Sequence, residues 1–384
     1  MRILHTSDWH VGKVLKGQSR MEEHAAVLAE LVDVARAESP DLVLVAGDLF
    51  DTAAPAPAAT RLVTGALTAL RGTGAEVVAI AGNHDNGAAL DALRPWAEAA
   101  GITLRGTVRT AADHLLTGVT AGGERWRLVA LPFLSQRYAV RATEMFQLSA
   151  AEASQTYADH LARMIAMLTA GFDAGDTVNL ITTHLTVVGA KTGGGERDAH
   201  TIQAYAVPAT IFPASAHYVA LGHLHRAQQV PGACPVRYCG SPLAIDFGEG
   251  DNTPGVTAVE VTARTAARAR EVPLAAAVPL RTVRATLEEL AGVEPGKAWW
   301  RVHLRERPRA GLREEVQRLL PRALDIRIDP DLLPAAGTRQ RGGSRTGRSP
   351  ADLFAEYLAA RGHTDERVEA LFQELYDEVG AANP

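Results

Sequence analysis

Five short apolar runs in this chain each end on residues that can bind a metal. Residues 3–6 lead into Asp8-Trp9-His10, and residues 42–46 lead into Gly47-Asp48. Residues 77–81 lead into Gly82-Asn83-His84-Asp85, and residues 180–183 lead into His184. Residues 219–221 lead into Gly222-His223-Leu224-His225. Continuous apolar runs of this length read as strands covered on both faces. Ligands of α/β sheets bind just beyond the carboxyl ends of strands. Five such ends therefore imply one shared site.

The donors are Asp8, His10, Asp48, Asn83, His184, His223 and His225. Two carboxylates, an amide oxygen and four imidazoles are too many for one ion. They suit two ions sharing a carboxylate, about 3.5–4 Å apart. Mixed nitrogen and oxygen donors favour manganese, iron or zinc over magnesium or calcium. Second-residue spacing in Asp-x-His and His-x-His turns both side chains the same way along an extended chain. Gly47, Gly82 and Gly222 are expected to let the chain turn sharply as it leaves the sheet. Each fragment has a plainer reading alone. Asp-Trp-His and Gly-Asp occur in ordinary turns and helix caps. Gly-Asn-His-Asp and Gly-His-Leu-His are more specific, and packing does not explain all five in this order. His5, His24, His114, His160, His200, His217, His303 and His363 lack any partner pattern. Cys234 and Cys239 read as small packing residues.

Further strands are predicted at 128–131, 178–183, 218–221 and 256–261, with helices at 21–38, 59–70, 88–100 and 151–168. This alternation predicts an α/β layered domain over residues 1–263. Residues 264–336 read as a small α+β domain, with strands at 281–287, 299–304 and 325–328 and a helix at 312–320. Residues 337–350 form a polar Gly/Arg linker, and two helices follow in 351–384. No repeat of solenoid period occurs.

With 47% hydrophobic and 22% charged residues, disorder, a collagen-like fibre and a disulfide scaffold are excluded. No apolar run nears the ~18 residues of a membrane span. The start reads as a strand and not a signal peptide, and two cysteines suit a reducing compartment, so a cytoplasmic protein is expected. The net charge of −5 hides a division. Residues 264–348 hold 18 basic against 10 acidic residues, whereas residues 349–384 hold 2 against 8. A basic segment of this kind is either a nucleic-acid surface or an accumulation of arginine.

At the five motifs the sequence resembles the calcineurin-like metallophosphoesterases, whose series D-x-H, G-D, G-N-H-D, H and G-H-x-H is present in full. The runs Thr183–Lys191, Ala220–Gln228 and Arg237–Pro242 resemble the bacterial SbcD branch of that family, and Ser349–Phe354 does so again. The resemblance implies a metallophosphoesterase β-sandwich flanked by helices, with the small α+β domain as a cap and the helical pair beyond it. It implies one metal on Asp8, His10, Asp48 and His225. A second would lie on Asp48, Asn83, His184 and His223, with Asp48 bridging. His84 matches the family's catalytic histidine, and Asp85 is expected to orient it. Archaeal and eukaryotic relatives carry another functional histidine three residues after the bridging Asp, where this chain has Asp51.

The resemblance further implies two manganese ions and 3′–5′ exonuclease and endonuclease activity on DNA in repair, recombination and replication. The implied partner is an SbcC-type ABC ATPase with a coiled coil, bound to a homodimer of this chain in a heterotetramer. Arg301, Arg305, Arg307, Arg309 and Arg313 are candidate DNA contacts, with Arg318 beside them. Leu353, Phe354, Tyr357, Leu371, Phe372 and Leu375 lie on apolar stripes that need a further surface, and are candidate partner contacts. Two other classes share these motifs. A phosphodiesterase or phosphatase of the same fold acting on small molecules or phosphoproteins would not need the basic appendage or the tail. A non-catalytic DNA-binding subunit would not need an intact ligand set.

Overall fold

The computed structural model describes residues 1–135, 157–172, 175–196 and 206–332, with helical positions Phe354, Leu358, Arg367, Val368, Leu371 and Phe372. These fall in two compact units, Met1–Asp329 and Pro330–Pro384.

Two six-stranded sheets form the body of the first unit. In the first sheet, β1 (Arg2–Thr6), β2 (Leu42–Val45), β3 (Glu76–Ile80) and β4 (Ile102–Arg105) run parallel in that order. In the second, β5 (Leu115–Val119) pairs antiparallel with β6 (Arg125–Leu131). From β6 the sheet continues in parallel through β7 (Thr177–His184) and β8 (Tyr218–Gly222). The hairpin β9 (Gln228–Val230) and β10 (Val236–Tyr238) closes its far side. The strands β11 (Gly255–Thr262) and β12 (Thr265–Pro273) complete the first sheet beyond β1.

Alternation along the strands builds the layers. Leu42 and Leu44 of β2 join Val178, Leu180 and Tyr218 in the core between the sheets. Val43 and Val45 point the other way and pack with helices α1 (Met21–Glu38) and α2 (Pro57–Arg71). On the outer face of the second sheet, Ile181, Val219 and Leu221 pack with helix α3 (Tyr157–Leu168). Strands buried on both faces explain why the predictive signal was a continuous apolar run. The result is the expected sandwich of two sheets between helices. The helix predicted at 88–100 is broken into Gly87–Ala92 and Arg94–Ala99. Pro95 lies at the break and lacks the N–H that a continuing helix would use. Residues 151–156 of the helix predicted at 151–168 lie outside the described residues.

The boundary predicted at 263/264 falls inside a hairpin. Strand β12 pairs antiparallel with β11, from Gly255↔Pro273 to Thr262↔Thr265. Arg264, Arg268 and Arg270 therefore belong to the edge of the sandwich, not to the basic domain. Strand β12 lies mostly exposed and carries no apolar run that would mark it in the sequence. After it the chain forms β13 (Leu280–Ala285), β14 (Trp299–Leu304) and β15 (Ala323–Ile328), all parallel, with helices Leu287–Leu290 and α4 (Leu312–Leu319) between them.

This cap is fastened to the sandwich. Trp299 Nε1 donates to Glu23 Oε1 at 2.7 Å, and Arg20, fully buried, pairs with Glu23 and reaches the Ala244 carbonyl at 3.0 Å. Arg301 stacks over the Phe247 ring at 4.7 Å. In the second unit, the Phe354 and Phe372 rings stack with centroids 4.1 Å apart. The predicted linker at 337–350 lies outside the described residues, as do Leu353, Tyr357 and Leu375. No described helix is long and apolar enough to cross a membrane.

Several histidines without a motif prove to be packing residues. His114 accepts from the Arg109 N–H and donates to the Ala130 carbonyl. His24 donates from Nδ1 to the Arg20 carbonyl, and burial pulls its pKa from 6.5 down to about 4. A depressed folded value means that the unfolded chain takes up this proton first. The stability that neutral His24 confers is complete above about pH 6.5 and is lost as pH falls toward 4. At pH 5 the loss is about 2 kcal/mol. Replacing His24 by Gln should flatten the fall in unfolding free energy between pH 8 and pH 5 by about that amount in urea titrations. An unchanged slope would show that His24 is not held neutral.

Candidate metal centre

Sheet register brings the predicted donors to one place. Thr6 pairs with Val45, and Val45 with Ala79, so the loops after β1, β2 and β3 leave the first sheet at one level. In the second sheet Gly222 pairs with His184, which sets His223 beside it. The two sheets meet at the site, where His184 Nδ1 donates to the Ala46 carbonyl at 2.8 Å.

The loops are held in an unusual backbone. Asp8, His10, Asp48 and His223 have φ of +55°, +47°, +52° and +98°. Left-handed conformations of non-glycine residues cost about 1–3 kcal/mol each and cluster at functional sites. Gly47, at φ +100°, turns as the sequence predicts. Gly82 has an ordinary φ and is needed for space, because a Cβ there would overlap the Asp48 carboxylate. Gly222 likewise has no room for a Cβ, against the Ala46 carbonyl.

Two groups of donors converge, and Asp48 stands between them. Asp8, His10 and His225 offer ligand atoms within 4.8 Å of one another. His10 Nε2 lies 3.1 Å from His225 Nε2. In the other group, Asn83 Oδ1 lies 2.8 Å from His184 Nε2 and 2.7 Å from His223 Nδ1. Asp48 Oδ2 lies 3.5 Å from His10 Nε2 and 3.5 Å from His184 Nε2. Its Oδ1 is occupied, accepting the His84 N–H at 2.8 Å. Asp8 Oδ1 likewise accepts the His223 N–H at 3.0 Å. Asp8 Oδ2 also accepts from the Ser7 hydroxyl, so both carboxylates are held in place by donors beyond the cluster of imidazoles.

The electrostatics favour added positive charge. Burial would lower His184 and His225, but the carboxylates outweigh it. Asp48 and Asp8 push His184 up to about 9, and Glu249, Asp8 and Glu196 push His225 up to about 10. Burial would raise Asp48, yet the His184, His10 and His84 imidazoles hold it well below the usual range. Nitrogens and oxygens aimed at one another in a buried, negatively biased cluster fit divalent cations.

His84 lies on the rim, 8% exposed, with its ring edge-on to His10 at 4.6 Å. It also forms a close group with His10 and Asp48. Its orientation differs from expectation. His84 Nδ1 donates to the Asp51 carbonyl at 2.8 Å. The Asp85 carboxylate instead accepts from the backbone N–H groups of Leu49, Phe50 and Gly82 at 3.2, 2.9 and 2.9 Å. Asp85 therefore ties the Asp48 loop to the Asn83 loop rather than aiming the His84 ring. The Asp51 side chain lies 3.2 Å from Lys13 Nζ and 3.7 Å from His10 Nδ1.

The arginines divide. Arg301 pairs with Asp325, Arg305 with Glu289 and Arg309 with Glu315. Arg307, Arg313 and Arg318 are exposed. Glu196 and Glu249 also contact His225. Both lie outside the strand-end motifs, and only the fold brings them there.

Fold and site together define a phosphoesterase of the two-metal type. The family described as Calcineurin-like phosphoesterase matches residues 1–136. The chain is 36% identical over 331 residues to the SbcD subunit of the SbcCD nuclease of Bacillus subtilis, covering 83% of this chain and 82% of that one. It is 37% identical over 259 residues to the SbcD subunit of the SbcCD nuclease of Escherichia coli K12, covering 65% of this chain and 62% of that one. A solved dimetal phosphatase from Danio rerio overlaps 72% of this chain and 99% of that one at 14% identity, with a TM-score of 0.41. The chain belongs to the SbcD family.

Asp85 yields a direct test. Replacing it by Ala strands three backbone donors between two ligand-bearing loops. The metal-free protein should lose about 3 kcal/mol of stability in urea unfolding, since each unsatisfied buried donor costs about 1–3 kcal/mol. A loss below about 0.5 kcal/mol would mean that solvent satisfies those donors and that Asp85 does not organise the loops.

Proposed function

We propose that this chain is a two-metal DNA nuclease acting with an SbcC-type ATPase in double-strand-break repair and recombination. The observation that carries the reading is the Asp48 carboxylate, with one oxygen equidistant from the two imidazoles that head the two donor groups. Asp8, His10, Asp48 and His225 would hold one ion, and Asp48, Asn83, His184 and His223 the other. Manganese suits this donor mixture. When bound, the two ions would lower the pKa of a water to give hydroxide near neutral pH and neutralise the phosphate oxygens. The chain's own residues do the rest. The strained loops hold the donors in place before substrate arrives, so little reorganisation accompanies the reaction. His84, its ring oriented by the bond from Nδ1 to the Asp51 carbonyl, would offer a proton or hydrogen bond to the leaving oxygen.

DNA as substrate is supported by family membership and by the exposed arginines of the cap. Exonuclease action in the 3′–5′ sense and endonuclease action belong to the same reading. The helical pair at 351–384 would dock on the partner's coiled coil, with this chain as a homodimer in a heterotetramer. Val368 and Leu371 are exposed apolar residues on that pair.

Metal content of purified variants separates the roles. Asp48→Ala should lose both ions. His84→Ala should keep both and lose turnover on labelled duplex DNA by at least 100-fold, within the range of general acid catalysis. Equal metal loss in the two variants would make His84 a ligand. A protein active on a small chromogenic phosphodiester but inactive on DNA would overturn the substrate.

On DNA, the arginines already engaged in ion pairs have less to offer phosphates. Replacing Arg307 and Arg313 together should reduce the slope of log affinity against log salt by up to about 1.8, near 0.9 per phosphate contact. Replacing Arg305 and Arg309 should change it less. No change from the first pair would remove the cap helix and its approach from the DNA surface. Deleting residues 349–384 should leave metal binding intact and abolish co-purification with the ATPase. Retained co-purification would place the docking surface elsewhere.

A further inference from the structure

A carboxylate outside the five motifs stands directly behind His225. Glu249 closes the short turn Phe247–Glu249 and is 1% exposed. Both of its oxygens are engaged. Oε1 lies 2.7 Å from His225 Nδ1, and Oε2 accepts the Ile245 N–H at 2.9 Å. His225 Nε2, on the far side of the ring, is the atom that faces His10. A carboxylate can only accept, so the bond to Glu249 keeps a proton on Nδ1 and leaves the Nε2 lone pair for a cation.

The surroundings are arranged around this contact. Glu196 Oε1 accepts the His225 backbone N–H at 3.0 Å, and its other oxygen accepts from Gly194 at 2.8 Å. The loop Gly193-Gly194-Gly195 thereby passes close beside the ring. A Cβ on Gly195 would overlap Glu249 Oε1, although the backbone at Gly195 lies outside the left-handed region. A buried carboxylate facing an imidazole is poor as a stability device, because desolvation offsets the attraction. It is well suited to fixing the ring of a ligand.

We propose that Glu249 is a positioning residue of the metal centre: it sets the tautomer and orientation of His225, and thereby the affinity of the ion that His225 would share with Asp8 and His10. The proposal rests on the reading of His225 as a ligand. It distinguishes Glu249 from a residue that merely stabilises its own turn. An amide has one oxygen, so Glu249→Gln can serve either Ile245 or His225, not both. With the oxygen on Ile245, the amide N–H₂ would face Nδ1 and favour a proton on Nε2, where the cation should bind.

The test is titration of the full chain with manganese(II), counting free ion by its electron paramagnetic resonance signal. The wild-type chain should take up two ions. Glu249→Gln should weaken one of them 10- to 100-fold and leave the other unchanged, as expected for loss of an outer partner of a ligating histidine. Gly195→Ala attacks the same contact from the opposite side and should weaken the same ion. It serves as the independent variant if Glu249→Gln does not fold. In the wild-type chain loaded with zinc, nitrogen-15 spectra should find the His225 proton on Nδ1. Two ions of unchanged affinity in both variants, or a His225 proton on Nε2, would overturn the proposal. A His225→Ala variant that kept both ions at wild-type affinity would instead overturn the ligand reading on which it rests.

Discussion

The Asp48 carboxylate is the contact on which the rest of this site depends. One oxygen is consumed by the His84 N–H, which ties the loop after β2 to the loop after β3. The other lies at equal distance from His10, on the loop after β1, and from His184, at the end of β7 in the opposite sheet. A single side chain therefore links both sheets of the sandwich. Its pKa is held well below the usual carboxylate range despite full burial, because the His184, His10 and His84 imidazoles surround it. Asp8, which also lies close to both His225 and His184, is the second carboxylate shared by the two groups of buried nitrogens.

Such a site needs a rigid frame. Four of the candidate ligands adopt left-handed backbone, and that strain must be offset elsewhere. The offset comes from three apolar layers: one between the sheets and one beneath the helices on each side. Asp85 adds a polar clamp between two of the loops. Glu249 and Glu196 add another around His225, and the Phe247 turn that carries Glu249 is covered by Arg301 of the cap. The cap and the metal centre are thus consecutive parts of one packed path.

Seven inner strands of the two sheets, and the seven candidate donors that follow the ends of five of them, could be picked out of the sequence for the same physical reason. Parallel strands buried on both faces appear as continuous apolar runs, and ligands follow their carboxyl ends. Strands β4, β5, β9, β10 and β12 were not legible, since β4 and β5 alternate, β9 and β10 are three residues long and β12 lies mostly exposed, and missing β12 shifted a domain boundary. Asp85 is assigned by the family resemblance to orient His84. Its side chain turns to the backbone of Leu49 and Phe50, a relation set by the meeting of two loops. Glu249 left no mark in motif spacing because its contact with His225 exists only once the chain has folded. The arginines of the cap could be counted from sequence, but not sorted into those engaged by Asp or Glu and those left exposed.

Anomalous diffraction from crystals grown with manganese tests the bridging role of Asp48 most directly. Two peaks about 3.5–4 Å apart are expected, one on each side of Asp48 Oδ2, the first among Asp8, His10 and His225 and the second among Asn83, His184 and His223. A single peak, or two peaks on the same side of Asp48, would contradict the account.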